Sequence, residues 1–362
     1  MPPTLALLPA RPLTLTFARR ALALGVALAL APAAAGCGDE QGTSTGGETT
    51  TPTFDYPKDG ELRINHLQAK GTHNSYHVAP DDDLLVPIDY THAPLDVQLA
   101  SQGARHFELD VRYDKFKDAF TVFHETFDKG TTCATLVECL STMKGWSDAH
   151  PAHHVLFVQI ELKDSAAEDQ AEDYFARLEG EVLSVFDRSR VLTPDDVRGD
   201  AASVRDAIVS KGWPTLGEGR GKLAFFIDNS SEMRTYYTHG GVDLEGRLMF
   251  IDAEPGDAWA GILLANDPVG DAARIAESLQ LGLIVRTRAD SDNEEPLAGD
   301  TTRRDAAFAS GAQLVSTDYP AKVDGVDYVV DVPGGTPSRC SPVTAPAGCT
   351  SEDIEDPAFI GD

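Results

Sequence analysis

The chain has 362 residues, 42% of them hydrophobic and 24% charged, with a formal net charge of −28. This is ordinary globular composition, long enough for one sizeable core with appendages, and it excludes wholesale disorder. The acidity excludes nucleic acid as a partner, because binding a phosphate backbone needs a basic footprint.

Arg11, Arg19 and Arg20 precede an apolar run at 21–32, and small residues at 33–36 lead into Cys37. A run this short with basic flanks reads as a signal peptide over 1–36, not as a spanning helix. Ala34-Ala35-Gly36-Cys37 resembles a bacterial lipobox without its usual leucine. Cys37 is therefore the lipidation candidate, with ordinary secretion left open. Residues 37–60, rich in Gly, Thr, Ser and Glu at their start, are expected to form a flexible linker. The protein is expected to be exported, either secreted or held on the cell envelope as a lipoprotein. No transmembrane helix is expected in the mature chain.

Short Val/Ile/Leu/Phe-rich runs then predict strands at 67–72, 106–111, 120–124, 155–161, 223–228, 248–252, 281–287 and 313–317. Between them 94–102, 135–150, 168–186, 271–279 and 301–310 read as helices. Apolar strands alternating with helices imply parallel βα units, and eight strands imply a TIM-like (β/α)8 barrel over 61–331. An open doubly wound sheet is the competitor, but no glycine-rich nucleotide fingerprint follows the first strand. Residues 332–362 are expected to form a disulfide-stapled tail outside the barrel. With Cys37 set aside, four cysteines allow three pairings, of which Cys133–Cys139 with Cys340–Cys349 is the simplest.

In a barrel enzyme the chemistry sits at the C-terminal ends of the strands. There the chain places Gly71-Thr72-His73-Asn74-Ser75-Tyr76-His77, then Glu108-Leu109-Asp110, then His124, then Glu161-Leu162-Lys163-Asp164. Glu108 and Asp110 are two apart on a strand and share one face. Three carboxylates and an amide oxygen at one mouth suit Ca²⁺ more than zinc. Two flanking histidines can act as general base and general acid in phosphodiester cleavage by a neighbouring hydroxyl. Each motif alone has an ordinary structural reading: a Glu-x-Asp pair as a solvated strand edge, or a lone histidine as a hydrogen-bonded strand end. His77, His92, His153 and His154 are read that way or as surface residues. The ordered set is the signal.

That set resembles the calcium-dependent phosphoinositide-specific phospholipases C, in their bacterial and secreted branch. The likeness runs from Gly71–His77 through Glu108-Leu109-Asp110-Val111, His124 and Glu161-Leu162-Lys163-Asp164. It returns at Val285-Arg286-Thr287-Arg288 and Gly311 to Tyr319. The resemblance implies a phosphoric diester hydrolase of the phospholipase C type. Its substrate would be phosphatidylinositol at a membrane surface, cleaved to diacylglycerol and inositol phosphate by way of a cyclic inositol phosphate. It assigns His73 as general base, His124 as general acid, and Asn74, Glu108, Asp110 and Glu161 as calcium ligands. Lys163, Arg286 and Arg288 are candidates for phosphate or headgroup contacts. Two other barrel chemistries stay open, glycerophosphodiester phosphodiesterase and sphingomyelinase D-like cleavage. From a different class, a catalytically silent calcium-binding barrel on the envelope also stays open.

Overall fold

The structure, a computed structural model, describes residues 54–80, 88–334 and 337–361. The expected leader over 1–36, Cys37 and most of the linker lie outside the described residues.

Ten strands follow one another among the described residues: β1 (Leu67–Thr72), β2 (His106–Asp114), β3 (Ala119–Val122), β4 (Leu156–Leu162), β5 (Leu223–Ile227), β6 (Phe250–Ile251), β7 (Ile262–Leu264), β8 (Ile284–Arg288), β9 (Leu314–Thr317) and β10 (Ser338–Cys340). Eight stand in the order β6-β5-β4-β2-β1-β9-β8-β7, parallel throughout. The circle completes between β6 and β7 through a side chain, where Asp252 accepts a hydrogen bond from Leu264 N at 2.9 Å. The expected TIM-like barrel is the observed fold.

Alternation along the strands makes the two layers. Phe107, Leu109 and Val111 of β2, with Leu156, Val158 and Ile160 of β4, face outward into a core shared with the surrounding helices. Helix Leu136–Ala149 contributes Leu136, Leu140 and Met143. Helix Glu168–Val185 adds Ala171, Tyr174, Phe175, Leu178 and Val182, spaced three and four apart. The helix at 136–149 starts sharply. Thr135 accepts a hydrogen bond from Glu138 N as its N-cap, and the Cys133–Cys139 disulfide ties its first turn to the preceding loop.

The alternate residues of the barrel strands face inward, and in the lower half most are apolar: Leu67, Ala69, Phe157, Ala224, Phe226, Ile284 and Leu314. His106 of β2 also faces inward there, at the level of Phe157. Gly71 is required here, because a Cβ on it would lie 2.2 Å from His106 Nδ1 of the paired strand.

Two strand expectations need correction. The run at 120–124 is not a barrel strand. It forms β3, antiparallel to β2, with Val111 opposite Val122 and Asp114 opposite Ala119. Only a few residues separate the two, too few for the crossover that parallel pairing demands. The eighth wall strand is instead β7, three residues long and absent from the expected set. The tail is also not free of the barrel. β10 pairs antiparallel with the start of β1, and the Cys340–Cys349 disulfide braces the segment. Beneath it, Glu355 Oε2 meets Arg105 Nε at 2.6 Å, both fully buried. Among the described residues no helix is long and apolar enough to cross a membrane.

Candidate active site

The inward-facing residues change character as each strand rises. Phe157 is followed two residues on by Gln159 and then Glu161, and Phe226 by Asp228. Ile284 is followed by Arg286 and Arg288, Leu314 by Ser316 and Asp318, and on β2 His106 leads to Glu108 and Asp110. Strand parity thus delivers a dry floor and a charged mouth from one set of strands.

Oxygen atoms of Glu108, Glu161 and Asp228 lie within 4.8 Å of one another, in an arrangement able to hold a metal ion. Glu108 is ion-paired with Arg286 Nη2. Lys163 Nζ stands between Glu161 Oε1 at 2.6 Å and Asp110 Oδ2 at 2.9 Å. Neither Asp110 oxygen accepts a well-directed hydrogen bond, and burial together with the Glu161 charge pushes this carboxyl well above its ordinary range. Burial and neighbouring Glu108 do the same to Asp228. Glu108 is held below its ordinary value: burial opposes its charge, but Arg286 and His73 outweigh that. Asn74, the other expected ligand, has φ of 43°, a left-handed conformation that non-glycine residues seldom adopt. Its Nδ2 donates to Tyr90 Oη at 3.1 Å, and its buried Oδ1 has no protein partner.

Each expected catalytic histidine is backed by a carboxylate that the sequence reading did not name. His73 Nδ1 lies 2.8 Å from Asp318 Oδ1, which leaves Nε2 toward Glu108 Oε1 at 4.0 Å. His124 Nδ1 lies 2.9 Å from Asp128 Oδ2. That same oxygen is 2.9 Å from His77 Nε2, so Asp128 serves two imidazoles. A carboxylate on Nδ1 fixes the tautomer and aims Nε2 outward. Burial would raise Asp318, but His73 and Arg288 draw its carboxyl down to about 2. Burial pushes His124 below the usual imidazole value, and its bond to Asp128 pulls the other way.

The expected phosphate contacts are all engaged within the site. Besides Lys163, Arg286 reaches Ser316 Oγ at 3.2 Å, and Arg288 bonds Asp318 Oδ2 at 3.1 Å. His77, His92, His153 and His154 are all buried, so none is a surface residue. The signal for Asp228 and Asp318 was present as strand parity, two residues beyond Phe226 and Ser316. Asp128 carried no such signal, since it sits in a turn.

Comparison with known proteins bears on this arrangement. The family described as Ca²⁺-dependent phosphoinositide phospholipase C matches over residues 62–121 and 115–342. The chain belongs to this family. It is thus a phosphodiesterase of the Ca²⁺-dependent phosphoinositide phospholipase C family. A search of the curated proteins gives no significant match. Among solved structures, the Ca²⁺-dependent phosphatidylinositol-specific phospholipase C of Streptomyces antibioticus is similar at a TM-score of 0.52 and 18% identity. That match covers 72% of this chain and 95% of that one. The calcium-dependent phosphoinositol-specific enzyme of a Pseudomonas species is similar at 0.53 and 16%, covering 79% and 98%. At such identities these two likenesses establish the barrel alone.

The site's donors suit the family's calcium. They are all oxygens, as a hard cation requires, and they include an orphaned buried amide oxygen and under-bonded carboxylates. The tight group contains Asp228, which the sequence reading omitted. Asp110 stands beside it across Lys163.

Proposed function

We propose that this phospholipase C family member cleaves phosphatidylinositol to diacylglycerol and inositol phosphate through a cyclic inositol phosphate. The observation that carries the reading is the pair of carboxylate-backed histidines, His73–Asp318 and His124–Asp128, at a mouth that also holds Glu108, Glu161 and Asp228.

His73 Nε2 takes the proton of the inositol 2-hydroxyl as its oxygen attacks phosphorus, and Asp318 stabilises the imidazolium that forms. His124 gives its Nε2 proton to the departing glycerol oxygen, with Asp128 holding the ring. Asn74, Glu108, Asp110 and Glu161, joined by Asp228, are the residues that would hold calcium, which supplies positive charge to the phosphate oxygens. Arg286 and Arg288, each fixed by a carboxylate, present guanidinium donors to the same phosphate, and Lys163 adds an ammonium. Water opens the cyclic phosphate with the two histidines exchanging roles.

The leader over 1–36, acylation at Cys37 and the barrel and tail boundaries at 61–331 and 332–362 belong to the same proposal. Two disulfides support export, since such bonds persist in oxidising compartments.

The test is release of water-soluble inositol phosphate from phosphatidylinositol vesicles, with calcium and with excess chelator. Calcium-dependent release is expected. Release that persists in chelator would overturn the metal assignment. No release in either condition, with turnover of glycerophosphodiesters or sphingomyelin instead, would overturn the substrate.

A further inference from the structure

Asn74 has to be held in two ways. Its backbone is in a left-handed conformation that asparagine keeps only with support from its surroundings. Its carboxamide has two chemically different ends, a donor and an acceptor, and only the surroundings can tell them apart. The backbone is tied down along its own loop. His73 N donates to Thr317 O at 3.1 Å, Ser75 N to Glu108 O at 2.9 Å and His77 N to Asn74 O at 2.8 Å. None of these bonds touches the carboxamide.

The carboxamide is met instead by the segment 88–92, which lies between β1 and the helix Leu95–Ala100. Tyr90 is buried there, and its Oη accepts from Asn74 Nδ2 at 3.1 Å. The hydroxyl's other neighbour, His73 Nδ1, is farther off at 3.4 Å and is committed to Asp318 Oδ1 at 2.8 Å. The segment is in turn anchored on the loop that it serves. Tyr90 O accepts from His77 Nδ1 at 2.9 Å, His92 N donates to His77 O at 2.9 Å, and His92 Nε2 donates to His73 O at 2.8 Å. Three bonds thus hold one phenol in place beside one amide nitrogen.

We propose that Tyr90 is a positioning residue for the cation site: its hydroxyl takes up the Asn74 N–H and leaves Oδ1, the end that a hard cation needs, free to serve as a ligand. Asn74 Oδ1 is buried without a protein partner, as that division of the carboxamide requires. Without the hydroxyl the buried N–H has no acceptor, and the amide gains by turning over or by relaxing from its strained backbone. Either change works against calcium binding. The inference rests on the reading of Asn74 as a calcium ligand.

The experiment is calorimetric titration of the full chain with calcium. It compares the parent with Tyr90→Phe, which removes the hydroxyl alone, and with Thr91→Val, an exposed neighbour whose Oγ1 accepts from Ala79 N at 3.0 Å. Calcium affinity is expected to fall about tenfold in Tyr90→Phe and to stay unchanged in Thr91→Val. Turnover of vesicle phosphatidylinositol by Tyr90→Phe should be low at limiting calcium and return to near the parent level at saturating calcium. A general loss of packing would not be recovered in that way. Asn74→Asp supplies a second arm. Both ends of its side chain are oxygen, so there is no N–H to take up and no orientation to choose. Tyr90→Phe added to that background should not weaken calcium binding further. Unchanged affinity in Tyr90→Phe alone overturns the proposal, and so does an equal loss in the Asn74→Asp background. A parent chain that binds no calcium overturns the metal site itself, and this inference with it.

Discussion

The base of the barrel and two carboxylates at its mouth bury charge in opposite ways. At the base, Glu355 accepts Arg105 Nε at 2.6 Å and His154 N at 3.0 Å, and Arg105 Nη1 also donates to Leu99 O and Ala104 O. Burial opposes the Glu355 charge, yet Arg105 keeps its carboxyl below the ordinary value. At the mouth, Asp110 and Asp228 are pushed up, and Asp110 has no well-directed hydrogen bond. A buried carboxylate with a partner on each oxygen, as Glu355 has, holds structure together. One left short of partners is disposed to take a cation, which sets Asp110 and Asp228 apart from Glu355.

Several changes would break or sharpen that contrast. The largest effect is expected at the mouth. His73→Ala or His124→Ala should each lower turnover by about 10²–10⁴-fold while the thermal midpoint holds. Near-normal turnover in either variant would remove that histidine from the chemistry.

At the base, Glu355→Gln should cost about 3–5 kcal/mol of stability by leaving the Arg105 charge buried and unpaired. The measurement is denaturant unfolding against pH. The folded Glu355 carboxyl is depressed, so its stabilising contribution is complete above the ordinary glutamate value of about 4.3. It is lost as pH falls through the lower folded value. The variant should lack that acid-side component, and an unchanged profile would mean the pair is neutral in effect.

Asp110→Asn should behave differently again. Removing a destabilised charge should leave the calcium-free thermal midpoint no lower. Calcium affinity should fall on the order of tenfold, as ligand charge is lost. Calorimetric titration with calcium checks this, and unaltered affinity would reject Asp110 as a ligand.

The smallest effect is a shift in pH profile. His124 must be protonated to donate, so turnover should fall as pH rises through its pKa, which burial has lowered. Asp128 works against that lowering, so Asp128→Asn should move the descending limb to lower pH. A limb that stays in place would separate Asp128 from the second proton transfer.

Much of this site was legible before any coordinates. The order His73-Asn74, Glu108-x-Asp110, His124, Glu161 lay on successive strand ends or strand-following loops. Alternation put Glu108 and Asp110 on one face, and the structure has both buried there. Asp228 and Asp318 followed the same parity: Asp228 has no motif around it, and Asp318 lay inside the 311–319 stretch of the resemblance without a role of its own. The hairpin role of 120–124 and the brevity of β7 were harder to read. A run of Phe, Thr and Val looks the same in a barrel wall as in an antiparallel arm, and three apolar residues make little pattern.

By itself the sequence determined what depends on neighbours along the chain. It indicated most of the strand runs, which of their residues share a face, the helix at about 135–150, and which residue types crowd the strand ends. Those follow from a period of two in strands and from local hydrogen bonding. Only the tertiary structure decided which distant carboxylate stands behind each histidine, and that Asp228 completes the acidic group. It alone placed the tail's Glu355 under the barrel against Arg105. His73 and Asp318 are 245 positions apart and meet because β1 and β9 are adjacent in the closed ring. Closure and register are properties of the whole sheet, and no local stretch of the chain encodes them.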